Sequence, residues 1–315
     1  MILAIRYSYM ADGTRMKMNH IRDVLAVAEA GSLRSAGKQL GVAQPALTRS
    51  IQEIERELGT LLFERSALGI KLTEAGRLFL RRAEAIQAEM RHAREEIDQL
   101  NQNMTGEVSI GMSGAACFVL LPAAMSKFQK RYPEAVLKVD ETLVQPVERR
   151  LLDGRLDFWV GPADSSISSH LDVEELLSIK RVVVARKGHP LAAATCLADL
   201  NDADWIRPTL SPRSTAGDFT TIFLKHGLAQ PRIKLHTRSA SVTLMALINS
   251  DMLTIMPEQW RNAPDWENRI TALPIEEDIP GWPLSIVRRI NMPLTPLADS
   301  FCDMIRTAAM NYVRS

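Results

Sequence analysis

The sequence predicts a multidomain protein of the α and α/β class, with a helical N-terminal part, a long connecting helix and a C-terminal α/β part. The chain has 315 residues, more than one ordinary domain. Apolar residues keep a helical spacing over residues 18–58 and again over residues 77–104. Beyond Thr105, short β-rich runs alternate with helical segments, as in folds with a largely parallel sheet.

Composition excludes several classes of protein. Apolar residues make up 46% of the chain and charged residues 24%, which are ordinary globular values. No run of eighteen apolar residues is present, so no membrane-spanning helix is predicted. The three cysteines are odd in number and far apart; this argues against a disulfide scaffold or zinc site and favours the cytoplasm. A net charge of +1 gives no bulk sign of nucleic-acid binding.

Residues 1–17 are interpreted as an N-terminal extension. Their apolar stretch is only four residues long, from Ile2 to Ile5, and Arg6 interrupts it. A secretory signal needs an apolar region of about 7–15 residues. We expect the folded N-terminal domain to begin at residue 18 and to end at residue 76.

Three helices are predicted within this domain, at about 19–30, 32–40 and 45–58. Gly31 ends the first helix, and a four-residue turn starting at Gly41 leads to Pro45, which suits a first helical position. Four residues form the apolar stripe of the third helix, namely Leu47, Ile51, Ile54 and Leu58. The pattern is that of a helix-turn-helix; the alternative is a plain three-helix bundle with a solvated polar face.

Two further features favour the helix-turn-helix. Residues 61–73 contain two short apolar runs around Gly69, which predict a small β-wing with Arg65 and Lys71 beside its turn. Residues 15–73 hold nine Lys or Arg and six Asp or Glu, a local charge of +3.

Five blocks then carry a family resemblance: SLRSAGKQL (32–40), QPALTRSI (44–51), ERELG (55–59), LFER (62–65) and LTEAG (72–76). In order and spacing they closely resemble LysR-type transcriptional regulators.

The resemblance implies a winged helix-turn-helix whose third helix reads the major groove of promoter DNA. Carried over residue by residue, the groove-facing candidates are Gln44, Pro45, Ala46, Thr48, Arg49 and Gln52. The candidates for contact with the DNA backbone are Ser32, Arg34, Ser35, Arg65 and Lys71. Residues 48–50 read TRS and depart from the commoner Ser-Arg-x or Ser-x-x, so individual base contacts stay open.

A long charged helix is predicted over residues 77–104, within a linker of residues 77–105. Eight residues alternate at spacings of four and three, namely Phe79, Ala83, Ile86, Met90, Ala93, Ile97, Leu100 and Met104. Such a heptad seam favours pairing with a second copy. The alternative is one amphipathic helix packed on its own domain. The resemblance also implies a dimerising linker helix, often within a tetramer.

Residues 106–315 are expected to form an effector-binding domain. Strands at 107–112, 136–141 and 156–160 and a helix at 118–131 resemble the effector domain of the same family, which is like a type 2 periplasmic binding protein. This implies two lobes joined by crossing strands near 173–181 and 283–289. Lobe I would comprise about 106–179 and 284–315, and lobe II about 180–283, with a final helix near 297–314.

Ligands of such folds sit at strand C-termini and helix N-termini, where free N–H groups favour an anion. The effector-binding candidates of lobe I are Ser113, Gly114, Ala115, Thr142, Leu143 and Val144. Those of lobe II are Arg213, Ser214, Ser241 and Thr243, which we expect at segments that lead into helices. Arg213 suits a carboxylate or sulfonate, although it also fits a surface loop, and the hydroxyl residues also fit helix caps.

No catalytic constellation is found, because the histidines lack metal spacing and no phosphate-binding motif is present. Two other classes remain as alternatives, a solute-binding protein, which should carry an export signal, and a helix-turn-helix enzyme such as a recombinase, which needs an acidic metal cluster. The leading hypothesis is a cytoplasmic, non-enzymatic regulator without cofactor or metal. Its expected partners are promoter DNA, a small organic anion as effector, further copies of itself and RNA polymerase.

Overall fold

The computed structural model of the chain describes residues 16–66, 69–101, 104–142, 144–163, 167–208, 219–258, 268–281, 283–290 and 292–314. These residues form two compact units. One comprises the residues up to Arg94 together with Asp153–Arg155, and the other comprises Glu95–Leu152 and the residues from Leu156 onward. Each unit has its own hydrophobic core, and each is described by itself.

The first unit consists of three short helices, a β-hairpin and the start of a long helix. Its elements are α1 (Met18–Ala30), α2 (Leu33–Leu40), α3 (Gln44–Leu58), β1 (Phe63–Ser66), β2 (Gly69–Leu72) and α4 (Glu74–Leu100). The strands pair antiparallel, from Phe63 opposite Leu72 to Ser66 opposite Gly69. Buried apolar residues of all three short helices meet in one core, for example Val24, Ala36 and Leu47. The unit is a winged helix-turn-helix.

The turn between α2 and α3 follows from its sequence. Gly41 ends α2 with φ of 67°, a left-handed conformation that glycine adopts without a Cβ penalty. Its backbone N–H bonds back into α2, and Pro45 lies in the first turn of α3, where a missing N–H costs nothing. The buried side chains of α3 then follow the helical period, at Leu47, Ile51 and Ile54.

Helix α4 starts at Glu74, earlier than the predicted residue 77, because Thr73 caps it. The Thr73 hydroxyl oxygen accepts a hydrogen bond from the Gly76 N–H at 2.8 Å and donates one to the Leu61 carbonyl at 2.7 Å. The Thr73 N–H donates to the Leu62 carbonyl at 3.0 Å. Gly76 lies so close to this chain that an added Cβ would be 2.0 Å from the Leu62 oxygen. The cap therefore fixes α4 to the segment that precedes the wing.

The predicted end of the linker helix at residue 104 is wrong, since α4 ends at Leu100. Met104 lies outside the helix and packs against the core of the second unit. Apolar residues along α4 are exposed in the single chain; Ile86 and Met90 are each 40% exposed and Ile97 is 60% exposed. These three residues belong to the predicted heptad seam.

The second unit begins with a five-stranded sheet. Its elements are β3 (Gly106–Met112), α5 (Gly114–Val119), α6 (Leu121–Arg131), β4 (Ala135–Glu141), α7 (Val144–Leu152), β5 (Phe158–Pro162), β6 (Leu171–Ser178), β12 (Pro283–Arg289) and α10 (Pro296–Arg314). The strand order is β4-β3-β5-β12-β6. Strand β3 is parallel to β4 and β5, whereas β12 is antiparallel to β5 and β6. The sheet is thus mixed, and its core contains Phe128, Phe158 and Phe301.

The remaining elements of this unit surround a second core. They are β7 (Arg181–Arg186), a short 3₁₀ helix (Leu197–Leu200), β8 (Asp204–Pro208), α8 (Phe219–Lys225), β9 (Arg232–Thr237), α9 (Ala240–Ile248), β10 (Thr254–Pro257) and β11 (Ile270–Ala272). Strand β7 lies between β10 and β11, and β8 pairs parallel with β9. Trp205, Phe219 and Phe223 stack edge to face or tilted in this core. We refer to the five-stranded part as lobe I and to this part as lobe II.

Three predicted elements of the second unit differ from the structure. The strand expected at 156–160 lies two residues later, as β5 (Phe158–Pro162). The helix expected at 118–131 is two helices, because α5 already starts at Gly114 and the helical conformation is interrupted at Leu120. Pro122, in the first turn of α6, has no N–H with which to continue α5. The crossing segment expected near 173–181 is interrupted at Ile179 and Lys180, so that β6 belongs to lobe I and β7 to lobe II.

Candidate functional site

Helix α3 presents one apolar and one polar face. Leu47 and Ile54 are buried on the first. On the second, the side chains of five predicted groove-facing residues are exposed, namely Gln44, Pro45, Ala46, Arg49 and Gln52. Thr48 is half-buried, and its hydroxyl donates to the Gln44 carbonyl at 2.9 Å. Gln44, Arg49 and Gln52 are therefore the exposed side chains of this set with several hydrogen-bond donors.

Two of the three carboxylates of α3 accept hydrogen bonds from elsewhere in the unit, and the third, that of the exposed Glu53, lies 3.4 Å from the His20 Nε2. One Glu55 oxygen accepts from the N–H groups of Leu62 and Phe63, at 2.8 and 3.1 Å. One Glu57 oxygen accepts from the Met16 N–H at 2.9 Å. The Glu55 contacts hold the chain before the wing against α3, and all three glutamates lie in the later half of the helix. The first turns of α3 contain only neutral and basic residues.

The residues predicted to contact the DNA backbone lie at two places. Ser32 caps α2, since its hydroxyl accepts from the Ser35 N–H at 3.1 Å, and Arg34 and Ser35 are exposed in the first turn. Lys71 is exposed on β2. The side chain of Arg65 lies outside the described residues. Exposed guanidinium and ammonium groups beside a projecting polar helix suit a phosphate backbone and a groove.

The second unit contains a cavity of about 90 Å³ between its two lobes. Strand ends and helix starts meet there. The last residue of each of five strands lines it, namely Glu141, Pro162, Pro208, Thr237 and Pro257. Residues at the starts of α5 and α9 complete this part of the lining, namely Ser113, Gly114, Ala115, Ser239 and Ala240. In α/β folds a crevice outside the carboxyl ends of strands is the ordinary ligand site.

The cavity gathers half of the predicted effector-binding residues. Those that line it are Ser113, Gly114, Ala115, Thr142 and Thr243. Ser241 is exposed within α9 and is not among the described lining residues. The prediction that Ser241 leads into this helix is wrong, because Ser239 is its cap. Leu143, Arg213, Ser214 and the side chain of Val144 lie outside the described residues.

Hydroxyl groups of the cavity lining also form hydrogen bonds at the starts of α5 and α9. The buried Ser113 caps α5 by accepting from the Ala116 N–H at 3.2 Å. Ser239 caps α9 by accepting from the Val242 N–H at 3.3 Å, and Thr243 donates to the Ser239 carbonyl at 3.0 Å. An accepting serine keeps its own O–H as a donor. The helix-cap interpretation therefore holds for Ser113 without removing it as a ligand contact.

Three charged residues of the lining were not predicted, namely Glu141, Arg181 and Arg238. Arg181 is only 6% exposed, and burial lowers the pKa of its guanidinium to about 10. Its Nε donates to the Pro280 carbonyl at 2.7 Å. Glu141 and Arg238 are exposed. The strand-end rule that selected Thr142 also points to its neighbour Glu141, but the burial of Arg181 at a lobe crossing has no signal in sequence spacing.

The pKa of the Cys117 thiol, near the cavity, is raised to about 12, first by burial and then by the charge of Glu141, so it is no thiolate nucleophile at neutral pH. Within the described residues, no group of three His, Cys, Asp or Glu is arranged to hold a metal ion. None of the described helices is long and apolar enough to cross a bilayer.

Comparisons with known proteins agree with this architecture. Residues 18–77 match the family "Bacterial regulatory helix-turn-helix protein, lysR family" and residues 101–310 match "LysR substrate binding domain". The regulator TdcA of Escherichia coli (strain K12) is 30% identical over 84% of this chain and 84% of its own length.

Solved structures of the LysR family regulator CbnR share the fold at 23% identity. The structure of CbnR alone has a TM-score of 0.71 over 93% of this chain and 99% of CbnR. Full-length CbnR complexed with its target DNA has a TM-score of 0.70 over 93% of this chain and all of CbnR. By its two matched domains and its similarity to TdcA, the chain belongs to the LysR family of DNA-binding transcriptional regulators.

Proposed function

We propose that the promoter binding of this regulator responds to a small organic anion bound between lobes I and II, and that the chain catalyses no reaction. The observation that carries the proposal is the presence of two guanidinium groups, those of Arg181 and Arg238, in the lining of an inter-lobe cavity. Guanidinium groups favour an anionic ligand, and the apolar part of the lining, such as Ile255 and Met256, suits the ligand's body. At about 90 Å³ the cavity is small beside the roughly 300–1,000 Å³ of drug-sized pockets.

The proposed domains follow the predicted boundaries. They are a DNA-binding domain at 18–76, a linker at 77–105 and an effector-binding domain at 106–315, after an extension at 1–17. For DNA recognition we propose Arg49 and Gln52 at base edges, with the other predicted residues of α2, α3 and the wing around them. The exposure of Arg49 and Gln52 on one face of α3 supports the assignment of these two residues to the base edges.

The proposed assembly is a homodimer or tetramer formed through the linker helix. Its support is the exposure of Ile86, Met90 and Ile97, since apolar residues at heptad spacing are covered when two helices pair. Pairing also supplies two recognition helices for two half-sites about one helical turn of DNA apart. We place the regulator in the cytoplasm, where RNA polymerase is a further proposed partner.

In the proposed mechanism, the effector changes the arrangement of the lobes, and through it DNA bending and polymerase contact. Thermodynamically, a ligand shifts such an equilibrium only by its difference in affinity for the two arrangements. Residues that contact the ligand in one arrangement alone therefore determine the response. Ser113 and Thr243 are such candidates, because one belongs to lobe I and the other to lobe II.

The groove assignment is tested with Arg49→Ala and Gln52→Ala in the full chain. An operator is first selected from genomic fragments by the unaltered protein. Each variant is expected to lose about tenfold to a hundredfold in specific affinity, because a good base contact contributes about 1–3 kcal/mol. The measurements are fluorescence anisotropy and footprinting. Arg149→Ala and Gln129→Ala, exposed on helices of the second unit, are matched controls, and normal operator protection by both α3 variants would exclude the assignment.

The effector site is tested with Ser113→Ala and, outside the described residues, Arg213→Ala. Both variants are expected to bind operator DNA normally and to respond more weakly to effector. Calorimetric titration of the full chain with small carboxylates measures the binding. Unchanged titrations in both variants would contradict the proposed residues, and the DNA-binding measurement would stand independently of that result.

A further inference from the structure

Charge is distributed unevenly around the inter-lobe cavity. Among its described lining residues, lobe I contributes one charged side chain, Glu141 at the end of β4. The rest of the described charge is positive, with Arg238 after β9 of lobe II and Arg181 at the start of β7. A ligand between the lobes therefore meets a carboxylate on one side and guanidinium groups on the other.

The carboxylate of Glu141 lies beside Gly114 at the start of α5. A Cβ added to Gly114 of lobe I would be 2.9 Å from the Glu141 Oε1 and 3.7 Å from the Ala240 Cβ of lobe II. The second distance is ordinary van der Waals contact for such a Cβ, so Ala240 of lobe II lies close to this part of lobe I. Glu141 thus lines the cavity near residues of both lobes.

A ligand whose only charged group is a carboxylate would bind the guanidinium side of the cavity and would make no favourable charge contact with Glu141. It pairs with the guanidinium groups, but it also brings negative charge toward Glu141, and like charges at close range repel each other. A ligand that carries an ammonium group as well as a carboxylate satisfies both sides. It also links the lobes, because its two charged groups bind residues from different lobes.

We propose that the effector is a small zwitterion of the α-amino-acid type, with its ammonium group bound by Glu141 and its carboxylate by Arg181 and Arg238. This inference rests on the proposed function, since it names the ligand class of the same cavity. Ser113 and Thr142, also in the lining, offer hydroxyl groups beside the ammonium end. The apolar wall formed by Ile179, Ile255 and Met256 limits the ligand's side chain to a short one.

The test uses the full chain and matched sets of three probes. Each set contains an L-amino acid, the acid that lacks its amino group and the amine that lacks its carboxylate, for example alanine, propionate and ethylamine. Thermal shift over the twenty common L-amino acids selects the sets, and isothermal titration calorimetry measures the affinities. At least one short amino acid is expected to bind about tenfold or more tightly than both of its partners, as charge-assisted hydrogen bonds imply.

Two substitutions assign the ends of the ligand. Glu141→Gln is expected to lower amino-acid affinity about tenfold or more and to leave the affinity of the matched acid within about threefold. Arg238→Gln is expected to weaken the amino acid and the acid alike. Glu134→Gln, an exposed glutamate in the turn before β4, is the matched control and should change neither affinity. Arg238 is exposed, so its substitution leaves the fold intact even where Arg181→Gln does not.

The outcomes separate this inference from the proposed function. If simple acids bind as tightly as amino acids, or if Glu141→Gln leaves the amino-acid preference unchanged, the zwitterion assignment is wrong while an anionic effector stands. If no amino acid binds, the assignment is overturned as well. Failure of the acids and the amino acids together would also remove the anion-effector proposal, whereas operator binding is measured without any ligand.

Discussion

Substitution of Gly76 by alanine tests whether the start of α4 is fixed by contact with the chain before the wing. In an exposed helix, alanine in place of glycine stabilises by up to about 1 kcal/mol. Here the new Cβ would be 2.0 Å from the Leu62 carbonyl oxygen, whereas ordinary contact begins at 3.4 Å. The two backbone segments must therefore separate by about 1.4 Å, since no flexible side chain is available to move.

The expected cost follows from what that separation breaks. The hydrogen bonds of Thr73 to the Leu61 and Leu62 carbonyls lengthen, each with a net contribution of about 0.5–1.5 kcal/mol. Overpacking adds about 1–3 kcal/mol. After the gain in helix propensity is subtracted, we expect a loss of about 2–4 kcal/mol in the first unit. The sign is opposite to the one that helix propensity predicts.

Hydrogen exchange in the full chain, read by mass spectrometry over peptides from residues 62–77, measures the change. A loss of about 2–4 kcal/mol corresponds to exchange about 30- to 700-fold faster through opening of this unit. Gly37→Ala is a graded comparison, because its Cβ would be 2.9 Å from the Val42 oxygen and requires a smaller shift. Equal or slower exchange in Gly76→Ala than in the unaltered chain would refute the reasoning.

Two further predictions concern the second unit. Arg306 donates two hydrogen bonds of 2.8 Å to Glu174, and these bonds hold the pKa of the Glu174 carboxyl below its ordinary value. The pair therefore stabilises the native chain above about pH 4.3, the carboxyl pKa in the unfolded chain. This stabilisation is lost as the pH falls through the pKa of Glu174 in the folded chain. Urea midpoints between pH 7 and pH 3 should depend less on acid in Glu174→Gln than in the control Glu175→Gln, and parallel curves for the two variants would contradict the assignment. Burial raises the pKa of the Cys117 and Cys302 thiols to about 12. At pH 8, iodoacetamide should therefore label Cys196 alone in the native chain and all three thiols after unfolding. Rapid labelling of Cys302 in the native chain would contradict this prediction and would show that the core opens.

Local signals predicted much of the first unit. Gly31, Gly41 and Pro45 act within one turn of chain, so the ends of the three helices lie within a residue of their predicted positions. The start of α4 was missed because the Thr73 cap depends on Leu61 and Leu62, which contact it through the fold. The end of α4 was missed for the same kind of reason, since Met104 continues the heptad spacing but packs in the core of the second unit.

The candidate cavity was predicted in place but not in full composition. The rule that ligands bind at strand C-termini selected Ser113 and Thr142, because β3 and β4 have clear apolar patterns. It did not select Arg181, which lies at the beginning of a strand and reaches the cavity only because the chain crosses between lobes at that point. Arg238 follows β9, whose half-exposed pattern gives a weaker sequence signal. Long-range crossings of this kind have no local signature.

The prolines at the ends of β5, β8 and β10 have a consequence for how this regulator changes over evolution. Each of Pro162, Pro208 and Pro257 ends its strand at the cavity wall, and none has an N–H with which to extend the hydrogen-bonded ladder inward. Glu141 and Arg238 line the same cavity. Exchange of their side chains alters the contacts to a ligand without removing a backbone hydrogen bond of the sheets, so a lineage can acquire a new signal molecule while it keeps the same scaffold.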